Sequence, residues 1–242
     1  MKFHYTSLSK VGLKRVENED AVGVFRTEGG LLCILCDGLG GSNAGSIASK
    51  MTVDTILNSF SSNNRGDYLE RLKYSVRDTN AEIYKIAEDN QSHKGMATTV
   101  EVLFLKDNFA YWAHIGDSRI YLYRNNRLKQ LTKDHSLIQK LIDEGYLTIK
   151  DAINHPNKNI VLKALGEKKT VNADFSKLKI SSSESWKFFL CSDGVTTVIT
   201  DNELSDILSK NDINENSREL SILIEKRGAP DNFSFVIIEN EN

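Results

Sequence analysis

Two apolar runs in this chain stop on the same dipeptide, and that coincidence limits what the chain can fold into. Residues 31–36, LLCILC, are apolar throughout and end at Asp37-Gly38, with Gly40 and Gly41 just beyond. Residues 188–191, FFLC, end at Ser192-Asp193-Gly194. A short apolar run closed by turn residues reads as a buried strand. Each run therefore carries a carboxylate to the C-terminal tip of a core strand. The glycine beside it lets the chain turn sharply or lets a ligand reach the main chain. One isolated copy would be no more than a strand-to-helix turn, but more acids stand at other strand boundaries. Asp231 precedes the apolar run 233–238, and Glu19-Asp20 precedes 21–25. Asp117, within His114-Ile115-Gly116-Asp117-Ser118-Arg119, separates 109–115 from 120–123. Side chains at strand ends can converge on one rim of a sheet, where a rigid scaffold holds its chemistry.

Periodicity supplies the remaining elements. Strands are expected at 3–9, 21–26 and 31–36, the last two joined as a hairpin. Helices follow over 44–60, with Val53, Ile56, Leu57 and Phe60 at helical spacing, and over 67–89, with Leu69, Leu72, Val76, Ile83 and Ala87 on one stripe. Strands at 98–105, 109–114, 120–123 and 127–130 are separated by short turn signals and read as one antiparallel meander. A helix over 135–144 and a short one over 148–153 precede an exposed loop at 155–159. Strands at 161–165, 171–180 and 185–191 come next, then helices at 201–209 and 215–227, then a strand at 233–239. Strands, helices, strands and helices in that order make an α+β chain. Two central antiparallel β-sheets flanked by helices, a four-layer αββα sandwich, would bury all of these faces. Residues 1–242 read as a single domain without repeats or an interdomain linker.

Composition excludes several classes. A formal net charge of −2 with mixed charges gives no bulk attraction to nucleic acid or an anionic membrane. No apolar run reaches the length of a membrane span, and the first ten residues, MKFHYTSLSK, lack the apolar core of a signal peptide. The three cysteines are not a disulfide framework. Cys33 and Cys36 have CxxC spacing but point to opposite faces of a strand, and no second pair completes a zinc site. A cytoplasmic location is expected.

Taken together, Arg15-x-x-Asn18-Glu19-Asp20, Asp37-Gly38-x-Gly40-Gly41, Gly116-Asp117-Ser118-Arg119, Ser192-Asp193-Gly194 and Asp231-Asn232 resemble the metal-dependent serine/threonine phosphatases of the PP2C (PPM) family, most of all its compact bacterial members. Residues 131–136, LTKDHS, continuing to His155-Pro156 and Ala164-Leu165-Gly166, are similar to the flap of those enzymes, here about 132–166. The resemblance implies hydrolysis of phosphoserine and phosphothreonine by direct attack of a hydroxide that bridges two Mn²⁺ or Mg²⁺ ions. It implies that Asp37 touches both ions, that Asp193 and Asp231 hold the first, and that Glu19 and the Gly38 carbonyl serve the second with Asp20 close by. Asp117, with Asp193, would hold a weaker third ion, and Arg15 would grip the phosphate. The implied partners are phosphorylated proteins, substrates of a serine/threonine kinase, met by a monomeric enzyme.

Elementary chemistry agrees. Carboxylates and carbonyls are hard oxygen ligands suited to Mg²⁺ or Mn²⁺ rather than zinc. Gathered acids would repel each other and a phosphate, and divalent cations reverse that sign. Arg15 could instead pair with Glu17 or Glu19, Asp117 could cap a turn, and Asp20 could hydrogen-bond rather than ligate. Two positions depart from the family: Leu39 and Ser42 stand where some members carry a histidine, so the proton donor is open. Among the histidines, His135 is the candidate proton donor, and His114 reads as a hydrogen-bonded core residue. Ala97 replaces a usual glycine before Thr98-Thr99, which an extended backbone would tolerate. A catalytically weak or dead phosphopeptide-binding module of the same fold is the alternative function. Neither a cysteine-phosphatase motif nor GxxxxGK[ST] is present.

Overall fold

The structure, a computed structural model, describes residues 1–27, 29–40, 44–63, 66–153 and 155–241. Among the described residues, two five-stranded antiparallel sheets form the centre. One runs in the order β1 (Phe3–Lys10), β12 (Phe233–Asn240), β11 (Trp186–Cys191), β8 (Arg119–Arg124), β9 (Arg127–Gln130). The other runs β10 (Asp174–Lys179), β7 (Phe109–Ile115), β6 (Val100–Lys106), β3 (Gly30–Cys36), β2 (Ala21–Thr27). A two-stranded ribbon pairs β4 (Gly38–Leu39) with β5 (Ala97–Thr98).

The alternation within β3 shows why the layers stack as they do. Leu32, Ile34 and Cys36 meet Ala48, Ile56, Leu72, Val76 and Ile83 of helices α1 (Ala44–Ser62) and α2 (Tyr68–Asp89). Leu31, Cys33 and Leu35 face the opposite sheet, against Phe188, Leu190, Val236 and Ile238. Beyond that sheet, Phe189, Cys191, Phe235 and Ile237 pack on Leu204, Leu208, Leu220 and Ile224. Those four belong to α6 (Asp201–Leu208) and α7 (Ile213–Lys226). The order is helix, sheet, sheet, helix, as expected. Period-2 strands with both faces apolar can be buried only between two other layers. Three of the outer helices, α2, α6 and α7, start on side-chain caps that satisfy free amide donors. Asp67 accepts from the Glu70 amide, Thr200 and Glu203 form a reciprocal capping box, and Asp212 accepts from Asn214 and Glu215.

Two expectations fail instructively. The meander is split: β6 and β7 pair in one sheet, while β8 and β9 pair in the other. Ile120 and Leu122 lie in the same inter-sheet core as Ala110 and Trp112, so β8 faces β7 across the sandwich instead of lying beside it. The chain crosses between sheets at Gly116, whose φ of +113 favours glycine. Residues 161–165 form no continuous strand. Val161 bridges to Ser136 and Leu165 to Thr98, so this short segment spans two separate anchor points. A short helix, α5 (Asp193–Thr196), was not expected after β11. Between β9 and β10 lie α3 (Leu137–Asp143) and α4 (Ile149–Ala152), capped by Ser136 and Thr148.

Cys33 and Cys36 do lie on opposite faces of β3, in different cores. Both, with Cys191, are free and fully buried, and burial pushes all three thiols well up. Such thiols are inert. In a thiol titration of the native protein no cysteine should react rapidly, and all three should react after denaturation. A fast-reacting thiol in the native state would contradict this packing.

Candidate metal centre

The strand ends meet as the sequence reading expected. Asp37 leaves the tip of β3 and Asp193 leaves the tip of β11. The sheets therefore bring their two Asp-Gly ends together, and the carboxyl groups of Asp37 and Asp193 lie within hydrogen-bonding reach. Asp231 enters just before β12, and Glu19 and Asp20 just before β2. Asp117 sits at the crossover between sheets. All of these acids except Glu19 act electrostatically on Asp37.

The glycines serve a purpose different from the sharp turn first read into them. Neither Gly38 nor Gly194 has a left-handed φ. A Cβ at Gly38 would collide with the carbonyls of Gly45 and Glu19, and one at Gly194 with the carbonyl of Asn232. The missing side chains let three chain segments cross at main-chain contact. Gly40 does have a positive φ, +148. Gly41 and Ser42 lie outside the described residues. Ala97 is extended within β5, opposite Leu39, so its side chain is tolerated.

Hydrogen bonds then hold the acids in place. The Asp37 amide donates to Thr99 Oγ1 (2.9 Å), and the Asp37 carbonyl accepts from the Thr99 amide and from Thr98 Oγ1 (both 2.9 Å). Thr99 Oγ1 also meets Ser118 Oγ at 2.8 Å, which ties Asp37 to the Asp117 turn. Asn232 joins the chain's two ends at the site. Its Oδ1 accepts from the Glu19 amide (2.9 Å), and its Nδ2 donates to the carbonyls of Val11 and Glu17 (both 2.8 Å). Ser192 Oγ donates to Asp20 Oδ2 at 2.8 Å. The Glu19 carboxylate accepts from the Gly45 amide at the start of α1, where a helix favours negative charge. Asn232, Thr99 and Ser192 were quoted or passed over in the sequence without a role. Their position inside the acidic motifs was the signal available.

Arg15 pairs with neither Glu17 nor Glu19. Its Nη2 donates to Asp231 Oδ2 at 2.8 Å, and the side chain remains half exposed. His135 is turned elsewhere: its Nδ1 accepts from the Gly116 amide (3.2 Å) and its Nε2 lies 3.4 Å from Asp174. It lines a cleft with Lys133, Lys140 and Asp174 that contains neither Asp117 nor Asp193. Burial and the neighbouring His114 push its pKa down to about 4, so it is neutral at pH 7. His114 is a core residue, as read. It is paired with buried Glu101, its Nε2 donates to the Lys133 carbonyl (2.8 Å), and its ring stacks on His135 at 4.6 Å.

Burial and mutual repulsion raise the acids. Burial comes first in every case, pushing Asp20 and Asp117 up to about 7, Asp37 well above the ordinary carboxylate range, and Asp193 upward. Among the described residues no three acidic, histidine or cysteine side chains already close on one point as a finished cage. Arg15 holds one oxygen of Asp231 and Ser192 holds one oxygen of Asp20. The donor set nevertheless fits a hard divalent cation. It is all oxygen, it is crowded with like charge, and Asp20 Oδ1 is buried without a hydrogen-bond partner. An orphaned buried carboxylate oxygen calls for an ion or a bound water.

A linkage follows. Acids whose folded pKa exceeds the ordinary value of 3.8 stabilise the fold below that value, and the contribution is lost as pH rises through the folded pKa, about 7 for Asp20 and Asp117. Stripped of divalent cations, the protein should therefore show a melting temperature that falls from pH 5 to pH 8. Mn²⁺ at pH 8 should restore it, and Asp193→Asn should shrink the fall. A melting temperature that rises over this interval would refute the assignment of crowded, cation-free carboxylates.

The comparisons with known proteins converge. A family model described as protein phosphatase 2C matches residues 14–219. Protein phosphatase PhpP of Streptococcus pneumoniae is 37% identical over 211 residues, covering 84% of this chain and 82% of that protein. The crystal structure of the Mycobacterium tuberculosis serine/threonine phosphatase PstP/Ppp superposes with a TM-score of 0.91 at 32% identity, covering 99% of each chain. The PstP catalytic domain in complex with two manganese ions superposes with a TM-score of 0.87 at 30% identity, again covering 99% of each. This chain belongs to the protein phosphatase 2C family and is a phosphatase of its bacterial type.

Proposed function

We propose that this phosphatase releases phosphate from phosphoserine and phosphothreonine in proteins, with two Mn²⁺ or Mg²⁺ ions held on the acid cluster. The observation that carries the reading is the crowding of Asp20, Asp37, Asp117 and Asp193 at one rim, where burial and repulsion raise every one of them. Such a cluster needs cations to remain ionised at neutral pH. Asp37 would serve both ions, Asp193 and Asp231 the first, and Glu19 with the Gly38 carbonyl the second. Asp20 stands behind them with one open oxygen, and Asp117 with Asp193 would take a weaker third ion. Bound there, the ions would make water more acidic, and so more nucleophilic, and would supply positive charge for the phosphate.

The chain's own groups do the positioning. Arg15 spends one Nη2 donor on Asp231 and keeps the rest of its planar fork at the exposed edge, where it can hold a phosphate. The leaving serine alkoxide needs a proton. His135 is committed to Gly116 and Asp174 outside the acid cleft, so the proton is assigned to the Asp117 end of the site. Residues 1–242 act as one catalytic domain with a flap at 132–166, opposing a serine/threonine kinase in the cytoplasm. Among the described residues no helix is long and apolar enough to cross a membrane. The alternative, a binding module without turnover, has no observation in its favour.

Turnover of p-nitrophenyl phosphate and of a phosphothreonine peptide should be lost in chelator and return with Mn²⁺. Asp193→Asn should reduce kcat at least about 100-fold on both substrates. Asp117→Ala should cut kcat for the peptide far more than for the aryl ester, whose phenolate leaves without help. Arg15→Ala should impair both alike. Full turnover after verified metal removal would overturn the proposal. Equal kcat losses in the Asp117 variant would return the proton to another donor.

A further inference from the structure

The cleft beside the acid cluster extends well beyond what a phosphate requires. It encloses about 570 Å³, and Asp117 and Asp193 both line it, so it opens directly off the candidate catalytic rim. One wall is residues 196–202, behind the tip of β11, and the other is the flap, with Ile138 of α3 and Ile149 and Ile153 at α4.

The flap wall is apolar without being part of any core. Neither α3 nor α4 has a buried residue, and Ile149 and Ile153 are 76% and 65% exposed. They stand four positions apart across a single helical turn and so share a face. Exposed aliphatic side chains scattered singly need no explanation. Here they line one cleft together, with Val198 among the residues of the other wall, and an exposed apolar patch of that kind marks an interaction surface.

The cleft's remaining charges are largely satisfied. Asp134 is held by the Arg119 guanidinium at 2.7 Å, and Asp201 accepts from the Tyr121 hydroxyl at 3.2 Å. Lys158 adds a cation on the flap side. Apart from Lys158, what the flap side presents is mostly aliphatic surface. Continuity with the acid rim selects the occupant, because a polypeptide whose phosphoryl group sits on that rim must leave over the adjoining surface.

We infer that the wall formed by Ile138, Ile149 and Ile153 recognises substrates, selecting phosphoproteins with a large aliphatic residue a few positions from the phosphorylated serine or threonine. This rests on the phosphatase reading above. Burying such a side chain against three isoleucines favours binding through the hydrophobic effect. The preference should therefore appear mainly in KM, and only for substrates long enough to reach the flap.

The test uses the full chain with Mn²⁺ and a set of Gly/Ser phosphothreonine peptides carrying one leucine at each position in turn on both sides. At one or more positions leucine should raise kcat/KM about tenfold, equivalent to about 1.4 kcal/mol. Ile149→Ser/Ile153→Ser should erase that gain, and either single variant should reduce it. The melting temperature and p-nitrophenyl phosphate turnover should stay at wild-type levels. No leucine position above about twofold, or a gain that survives in the double variant, would overturn the inference. So would sedimentation showing a dimer that the double variant dissociates, since the wall would then be covered by a second copy. Absence of Mn²⁺-dependent turnover of p-nitrophenyl phosphate by the wild type would instead sink the phosphatase reading itself.

Discussion

Repulsion among buried carboxylates is the constraint to which this end of the molecule answers. Asp37 has Asp20, Asp193, Asp117 and Asp231 as electrostatic neighbours, and water is partly excluded from all of them. A fold gains nothing in stability from such an arrangement. It persists because the central strands of both sheets are buried almost throughout. β3 and β11 are buried along their whole lengths, and the apolar packing between layers far outweighs the strain at one rim. The acids sit where the strands end, so the core that pays for them is the same core that aims them.

Aiming depends on neutral groups more than on charged ones. Asn232 fastens the loop carrying Glu19 to the segment carrying Asp231, and Thr99 fastens the Asp37 tip to the turn carrying Asp117. Gly38 and Gly194 allow those segments to cross at backbone distance. Hydrogen bonds of this kind keep their geometry whether or not the carboxylates are ionised. The acids are thereby held at the rim by neutral groups.

The flap is attached at the same rim. His114, paired with Glu101 and donating to the Lys133 carbonyl, anchors the first residues of the flap to β7. The Gly116 carbonyl accepts from the His135 amide at 2.7 Å, so the Asp117 turn and the flap root are one piece. A histidine in the flap thus has a positional role, and its low proton affinity follows from that burial. Neither helix of the flap has a buried residue, and the exposed Ile149 and Ile153 line the cleft that opens off the acid rim.

The layer order, the strand tips and the acid positions were legible in the sequence because each rests on local pattern. Short continuous apolar runs mark buried strands, turn residues mark their ends, and the Asp-Gly dipeptides stand at those ends. What sequence could not decide was which strands share a sheet and which residues meet across the fold. Whether 109–115 and 120–123 lie side by side or face each other depends on which apolar faces meet across the sandwich, and short turns are compatible with either. The same holds for Arg15. Its neighbours in sequence offered Glu17 and Glu19, while the fold brought Asp231 from the far end of the chain to 2.8 Å. His135 looked available as a proton donor until the crossover at Gly116 gave it other partners. Residue types and spacing determined which chemistry this chain could hold. The tertiary structure alone decided which groups share a cleft, because that choice is made by contacts across the fold, some between residues more than a hundred positions apart.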